Sequence, residues 1–205
     1  MQFYMTPGSC STGIHILLEE LGCVFQVNLV NLLAGDQHSA AYRAINPKGT
    51  IPTLVRDDGS ALTDFQAIAW WLALSRPRKG LLPTDAEGQA RTLESMNHSV
   101  GTLHGQGFAR IFTADRFADD AAGQEAAKQR GREILEEGFR VASTDLGDKP
   151  YLLGDFSIAD AALFYVEFWA TRSDVVLPAN CLAHYQRMVS RPAVRQVLAE
   201  EGYRV

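Results

Sequence analysis

The strand signals of this chain stop part-way along it, and that stop constrains the fold more than any other feature. Before Ser75, short β-rich runs alternate with helical patterns; from Glu87 onward the strand patterns nearly vanish and long helical periodicity takes over. Between them lies Ser75-Arg76-Pro77-Arg78-Lys79-Gly80-Leu81-Leu82-Pro83-Thr84, where Pro and Gly break the helix and charge replaces the apolar stripe. The break predicts two domains, residues 1–77 and 87–205, joined by a linker over 78–86. A chain of 205 residues is long enough for this, and one of that length buries roughly 70% of its unfolded surface.

In the first half, Phe3-Tyr4-Met5 opens as a strand, Pro7-Gly8 is a turn, and helical periodicity begins at Ser11 and runs to Leu21. Cys10 therefore stands on or beside the first turn of a helix. The unpaired N–H groups there and the positive end of the helix dipole favour a thiolate. Thiols so placed can fall from an ordinary pKa of ~8.5 to roughly 3.5–7.5. The same position also suits a small buried side chain, and the local context leaves both readings open. Gly22 is a predicted C-cap, Cys23 to Val30 a strand, and Thr53 to Arg56 with Ser60 to Thr63 a hairpin about Asp57-Asp58-Gly59. Asp64 is a predicted N-cap for a helix through Ile68, Trp71 and Leu72. The order β-α-β-α-β-β-α describes a small mixed sheet with helices on its faces.

In the second half, helices are predicted over Gln89 to Phe112 and Gln124 to Asp145, the first interrupted by Gly101, Gly105 and Gly107. Ser157-Ile158-Ala159-Asp160 has the form of a capping box, with Phe156 as its staple residue, and opens a helix through Trp169. A last pair covers Leu182 to Ser190 and Pro192 to Ala199, Pro192 suiting a first helical turn.

The formal net charge of -5 argues against nucleic-acid and anionic-membrane partners, which need a basic footprint. The longest apolar run, Ala67 to Leu74, is too short to span a bilayer, and no Lys or Arg before Arg43 supplies the charged start of a signal peptide. Three widely spaced cysteines, Cys10, Cys23 and Cys181, give no disulfide framework. The expectation is a reducing, cytoplasmic compartment.

Three motifs then carry a resemblance. Phe3-Tyr4-…-Pro7-Gly8-Ser9-Cys10-Ser11, Asn46-Pro47-Lys48-Gly49-Thr50-Ile51-Pro52-Thr53-Leu54 and Phe156-Ser157-Ile158-Ala159-Asp160 closely resemble glutathione transferases, the cysteine looking like that of the bacterial beta class. The resemblance covers essentially the whole chain in order. It implies a thioredoxin-like N-terminal domain, an all-α C-terminal domain, glutathione in the cleft between them, and a homodimer. It also implies a cis Ile51–Pro52 bond that turns the Ile51 backbone toward the glutathione cysteinyl amide.

By the same resemblance Cys10 lies beside the glutathione sulfur and can form a mixed disulfide with it. His104 matches the beta-class histidine near that cysteine, able to stabilise a thiolate as imidazolium or to accept its proton. Asn97 precedes His104 by seven residues, about two helical turns, so both can face one cleft from one side of the helix, and the resemblance makes Asn97 a candidate for glutathione binding with Ile51, Pro52, Asp64 and Phe65. Asp64-Phe65 stands where the family has Glu followed by Ser or Gly for the γ-glutamyl end, and no Lys lies within Asn31 to Gln37 for the glycine carboxylate. Thr102 replaces a frequent acidic residue, and Gly105-Gln106-Gly107 looks one residue longer than in close relatives, implying a bulge or kink. Phe108, Ile111, Phe112 and Trp169 are candidates for an apolar electrophile pocket. The implied activity is conjugation of glutathione, as co-substrate and without a metal, to small hydrophobic electrophiles. A glutathione-dependent disulfide reductase, a dehalogenase and a non-catalytic binding module are the alternatives on the same scaffold.

Overall fold

In the computed structural model, which describes residues 1–204, the chain divides into two compact units. The first is Met1–Leu82 together with Met188–Val205; the second is Pro83–Arg187. The final helix thus clusters with the N-terminal unit, whereas the sequence reading runs the helical domain unbroken from 87 to 205.

The first unit contains a four-stranded mixed sheet in the order β2-β1-β3-β4, built from β1 (Gln2–Met5), β2 (Gln26–Leu29), β3 (Thr53–Val55) and β4 (Ala61–Thr63). β1 and β2 run parallel, joined by the crossover helix α1 (Ser11–Glu20); β3 is antiparallel to both β1 and β4, with Phe3 opposite Leu54. The helix ends as predicted at Gly22, whose φ of 62° permits a Schellman closure: Cys23 N–H donates to Leu18 O and Gly22 N–H to Glu19 O. Every residue of α1 from Ser11 to Leu18 is buried, so the helix is covered all round. Its neighbours include α3 (Phe65–Ser75) and α9 (Pro192–Glu200), the latter contributing the buried side chains of Val194, Val197 and Leu198. A short helix, α2 (Ala40–Ile45), precedes the loop into β3.

The second unit is helical: α4 (Ala86–Asn97), a π-helix over His98–Phe108, α5 (Ala109–Phe112), α6 (Ala121–Leu146), α7 (Ile158–Ala170) and most of α8 (Ala179–Ser190). The bulge expected at Gly105-Gln106-Gly107 takes the form of this π-helix, which closes on a bond from Ala109 N–H to His104 O, five residues back. Glycine makes its packing possible. A Cβ on Gly107 would lie 2.5 Å from Leu135 Cδ2, and one on Gly138 the same distance from Leu103 Cδ2, so the π-helix and α6 approach closer than two alanines would allow. The capping box at the start of α7 is present, with Asp160 Oδ2 accepting from Ser157 N–H at 2.8 Å. Among the described residues no helix is long and apolar enough to cross a membrane.

Candidate active site

Cys10 occupies the N-cap position of α1, at the end of the turn that leaves β1. Its side chain is 7% exposed, and the thiol points to Ile51 O at 3.7 Å, beside the cis Ile51–Pro52 peptide. The loop carrying that peptide is held from below: Tyr42 Oη donates to Thr50 O at 2.6 Å, and Asn46 Nδ2 donates to Thr50 O at 2.8 Å and to Thr53 Oγ1 at 2.9 Å.

Of the two readings open for Cys10, a reactive thiolate and a small buried side chain, burial favours the second. Burial pushes the thiol up to about 12, overriding the lowering effect of the Cys10 and Ser11 backbone N–H groups. Ser11 N–H is shared, since it also donates to Ser9 Oγ at 3.1 Å. Cys10 is thereby favoured as a neutral thiol in the protein alone.

Asp64 also behaves differently from the expected N-cap. It holds the N-cap position but makes no side-chain cap bond, and its backbone sits at φ 70° and ψ 133°. The carboxylate instead meets Lys48 Nζ, which also donates to Thr63 Oγ1 at 2.9 Å. Phe65, the next residue, has its ring buried in the unit, so the bulk expected at that position is internal.

In the second unit, His104 is packed among aromatic rings. Trp169 meets it edge-on at 4.8 Å between centroids, Tyr165 at 5.8 Å, and its Nδ1 lies 3.2 Å from Tyr165 Oη. Burial pulls the imidazole down to about 4, so it is neutral at physiological pH. Of the two roles the resemblance implies, burial disfavours the imidazolium, and a base this weak is a poor acceptor for a thiol proton. Phe108 and Phe112 join the same cluster, stacked on each other at 5.3 Å and each edge-on to Trp169, with Phe112 54% exposed. Ile111 is not part of it, since its Cγ1 packs toward Gly131 of α6. Nor does the π-helix keep Asn97 and His104 on one face: seven residues complete two turns only at α-helical spacing, and π turns are wider. Asn97 is exposed at the end of α4, beside Gly101.

The family models for "Glutathione S-transferase, N-terminal domain" and "Glutathione S-transferase, C-terminal domain" match residues 8–74 and 125–199. The chain is 35% identical over 207 aligned positions, 98% of this chain and 99% of the other, to "Glutathione S-transferase GstA" of Escherichia coli O157:H7. It belongs to the glutathione S-transferase family. Among solved structures, a glutathione transferase homologue from sulfitobacter with bound glutathione superposes at a TM-score of 0.90 with 30% identity, over 97% of each chain. The bacterial beta-class glutathione S-transferase of Sphingomonas chungbukensis superposes at 0.85 with 27% identity, over 98% of this chain and 99% of that one.

For a glutathione S-transferase, two groups escaped the reading of the sequence. Lys48, inside the second motif, supplies a cation beside Asp64. Tyr165, on α7, offers its hydroxyl as the polar partner of His104.

Proposed function

We propose that the protein conjugates reduced glutathione to small hydrophobic electrophiles, with the attacking sulfur supplied by glutathione and not by Cys10. The observation that carries this reading is the buried, neutral state of Cys10. A thiol pushed up to about 12 leaves few molecules as thiolate at pH 7. That is too few for a nucleophile, but a neutral S–H remains a donor toward an incoming sulfur. Glutathione docks, on this reading, along the first unit: the Ile51 backbone pairs with its cysteinyl amide, Asp64 takes its α-ammonium, and the positive end of the α3 dipole favours its γ-glutamyl carboxylate. Lys48 neutralises a second carboxylate. The glutathione bound in the sulfitobacter relative supports the choice of tripeptide.

In the reaction the glutathione thiol gives its proton to solvent, its sulfur forms a bond to the electrophilic carbon, and the leaving group departs with the bonding pair. Trp169, Phe108 and Phe112 supply the flat apolar surface an aromatic electrophile needs, with neutral His104 and Tyr165 as the polar edge of that surface. The mixed disulfide of Cys10 is a slow side reaction, in which the small thiolate fraction of Cys10, its proton lost to solvent, attacks oxidised glutathione and releases one reduced glutathione. A homodimer with a detoxifying role, resting on the family resemblance alone, and a cytoplasmic setting, resting on the cysteine usage, complete the proposal.

Cys10→Ala is the test. Conjugation of glutathione to an aryl halide is expected to keep kcat/KM within about threefold of the parent, while the glutathione adduct detected by mass spectrometry disappears. A loss of about a hundredfold or more would make Cys10 the nucleophile. Calorimetry showing no glutathione binding into the millimolar range would favour a non-catalytic module.

A further inference from the structure

The first unit contains a second polar cluster that the transferase reading does not use, formed by His15 and Glu19 of α1 with Glu200 and Glu201 at the end of α9. His15 is 3% exposed. Its Nδ1 lies 2.9 Å from Oε1 of Glu201, which is itself only 2% exposed. A carboxylate accepts and does not donate, so Nδ1 carries the hydrogen, and in the neutral ring Nε2 is left as a lone pair. That Nε2 is buried and has no hydrogen bond. It faces Glu200 Oε2 at 3.3 Å, a distance that would serve a hydrogen bond but without the alignment of one. With the ring neutral, acceptor would meet acceptor, and a cation between them, whether a proton or a metal ion, would satisfy both.

We propose that His15, Glu19 and Glu200 form a binding site for a divalent transition-metal ion of the zinc type. One ligand atom from each lies within 4.8 Å of the other two. Zinc–nitrogen and zinc–oxygen bonds of about 2.0–2.2 Å place tetrahedral ligands about 3.4 Å apart, close to the 3.3 Å between His15 Nε2 and Glu200 Oε2. Glu19, one helical turn after His15 on the same face, closes the rest by rotation of its side chain. At present a neutral amide stands among the carboxylates: Gln196 Nε2 donates to Glu19 Oε2 at 3.2 Å and to Glu200 Oε1 at 2.9 Å. The nearby Arg191 is held by Glu20 at 2.7 Å. One imidazole and two carboxylates leave a fourth position for water, a set suited to zinc or manganese and too hard for copper(I).

Glu201 completes the site in the manner of carboxylate–histidine–metal triads, fixing the tautomer and orientation of the ligand ring. It is itself fixed, accepting from Gly8 N–H and from Thr12 Oγ1, both at 2.7 Å. Gly8 and Thr12 flank Cys10 by two residues on either side, so an ion on His15 would lock α9 to α1 and stiffen the turn that presents the thiol.

The probe is Zn2+ added to the full chain without glutathione, in a phosphine reductant, followed by calorimetry and thermal melting. One ion per chain is expected to bind with a micromolar dissociation constant and to raise the melting temperature. Glu200→Gln is the decisive variant, because that side chain is 47% exposed and the fold tolerates the change; affinity is expected to drop about tenfold or more. His15→Gln is expected to abolish binding and serves as a second variant where it folds. Co2+ in place of Zn2+ is expected to give weak visible bands without thiolate charge-transfer absorption, since no cysteine takes part. Three results would each overturn the site: no saturable binding up to about 1 mM, affinity unchanged in folded Glu200→Gln, or thiolate absorption showing that the cysteines hold the ion.

Discussion

At the scale of single residues, two side chains carry most of the site's character, and both depart from local rules. Cys10 was legible as the head of α1 because strand, turn and helix are each written in a few consecutive residues. Its titration was not, because burial depends on Ile51 and the rest of the unit, which periodicity does not reveal. Asp64 was legible as the residue before α3, but its backbone was not: among the described residues it is the one non-glycine with a positive φ, and at ψ 133° it sits in a region suited to glycine. Such strain costs about 1–3 kcal/mol, and the exposed ion pair with Lys48 offsets about 0–1 kcal/mol of it. Asp64→Gly is therefore expected to raise stability by about 1 kcal/mol, after the entropy that glycine loses on folding. It is also expected to weaken glutathione binding by about tenfold, through loss of the charge-assisted contact to the ammonium. Thermal melting and calorimetry on one variant check both. A lower melting temperature would show that the backbone there is not strained.

At the scale of elements, helices with local punctuation were readable and those shaped by neighbours were not. The capping box at Ser157–Asp160 is a four-residue signal, and the structure realises it. The π-helix over His98–Phe108 packs closely on α6 through Gly107 and Gly138, partners far apart in sequence. The same limit hid a polar contact between α7 and α8. His184, fully buried, lies 2.8 Å from Glu167 and 3.2 Å from Asp160. Burial opposes its charge, but the two carboxylates outweigh burial and carry it up to about 9; burial in turn raises Glu167 to about 7. Both pKa values lie above their unfolded values, so the folded chain holds more protons than the unfolded one. The stabilisation is complete in acid and is lost as pH rises through about 7 and then 9. Removing one partner of a buried ion pair costs about 3–5 kcal/mol. His184→Leu should therefore be strongly destabilising, while His184→Leu with Glu167→Leu should recover most of the loss and flatten the alkaline decline. Urea unfolding from pH 6 to 10 measures this; a double variant as unstable as the single one would mean that the cavity, and not the charge, sets the cost.

At the scale of the whole molecule, chain order and spatial order disagree at the C-terminus. Two domains were readable because the β signal ends where Pro and Gly cluster. The last helix carries the same 3.6-residue periodicity as its predecessors, and periodicity says that a face is buried without saying against what. The structure puts α9 in the unit that holds the sheet, so that unit is discontinuous in sequence and cannot be cut out as residues 1–82. Val194, Val197 and Leu198 of α9 are fully buried. At about 1.5–3 kcal/mol each, their burial is worth about 5–9 kcal/mol, comparable to the whole stability of a typical domain at about 5–15 kcal/mol. Ending the chain at Arg187 also removes Glu201, the acceptor for Gly8, Thr12 and His15, and leaves α1 bare along one side. The shortened chain is expected to lose cooperative thermal unfolding of its first unit and to be cleaved by protease within α1. Pro83–Arg187 is a separate compact unit and is expected to keep the far-ultraviolet signal of its helices. A shortened chain that melts within a few degrees of the parent, with α1 still protected, would show that α9 is a surface addition and that the sheet and its first helix stand without it.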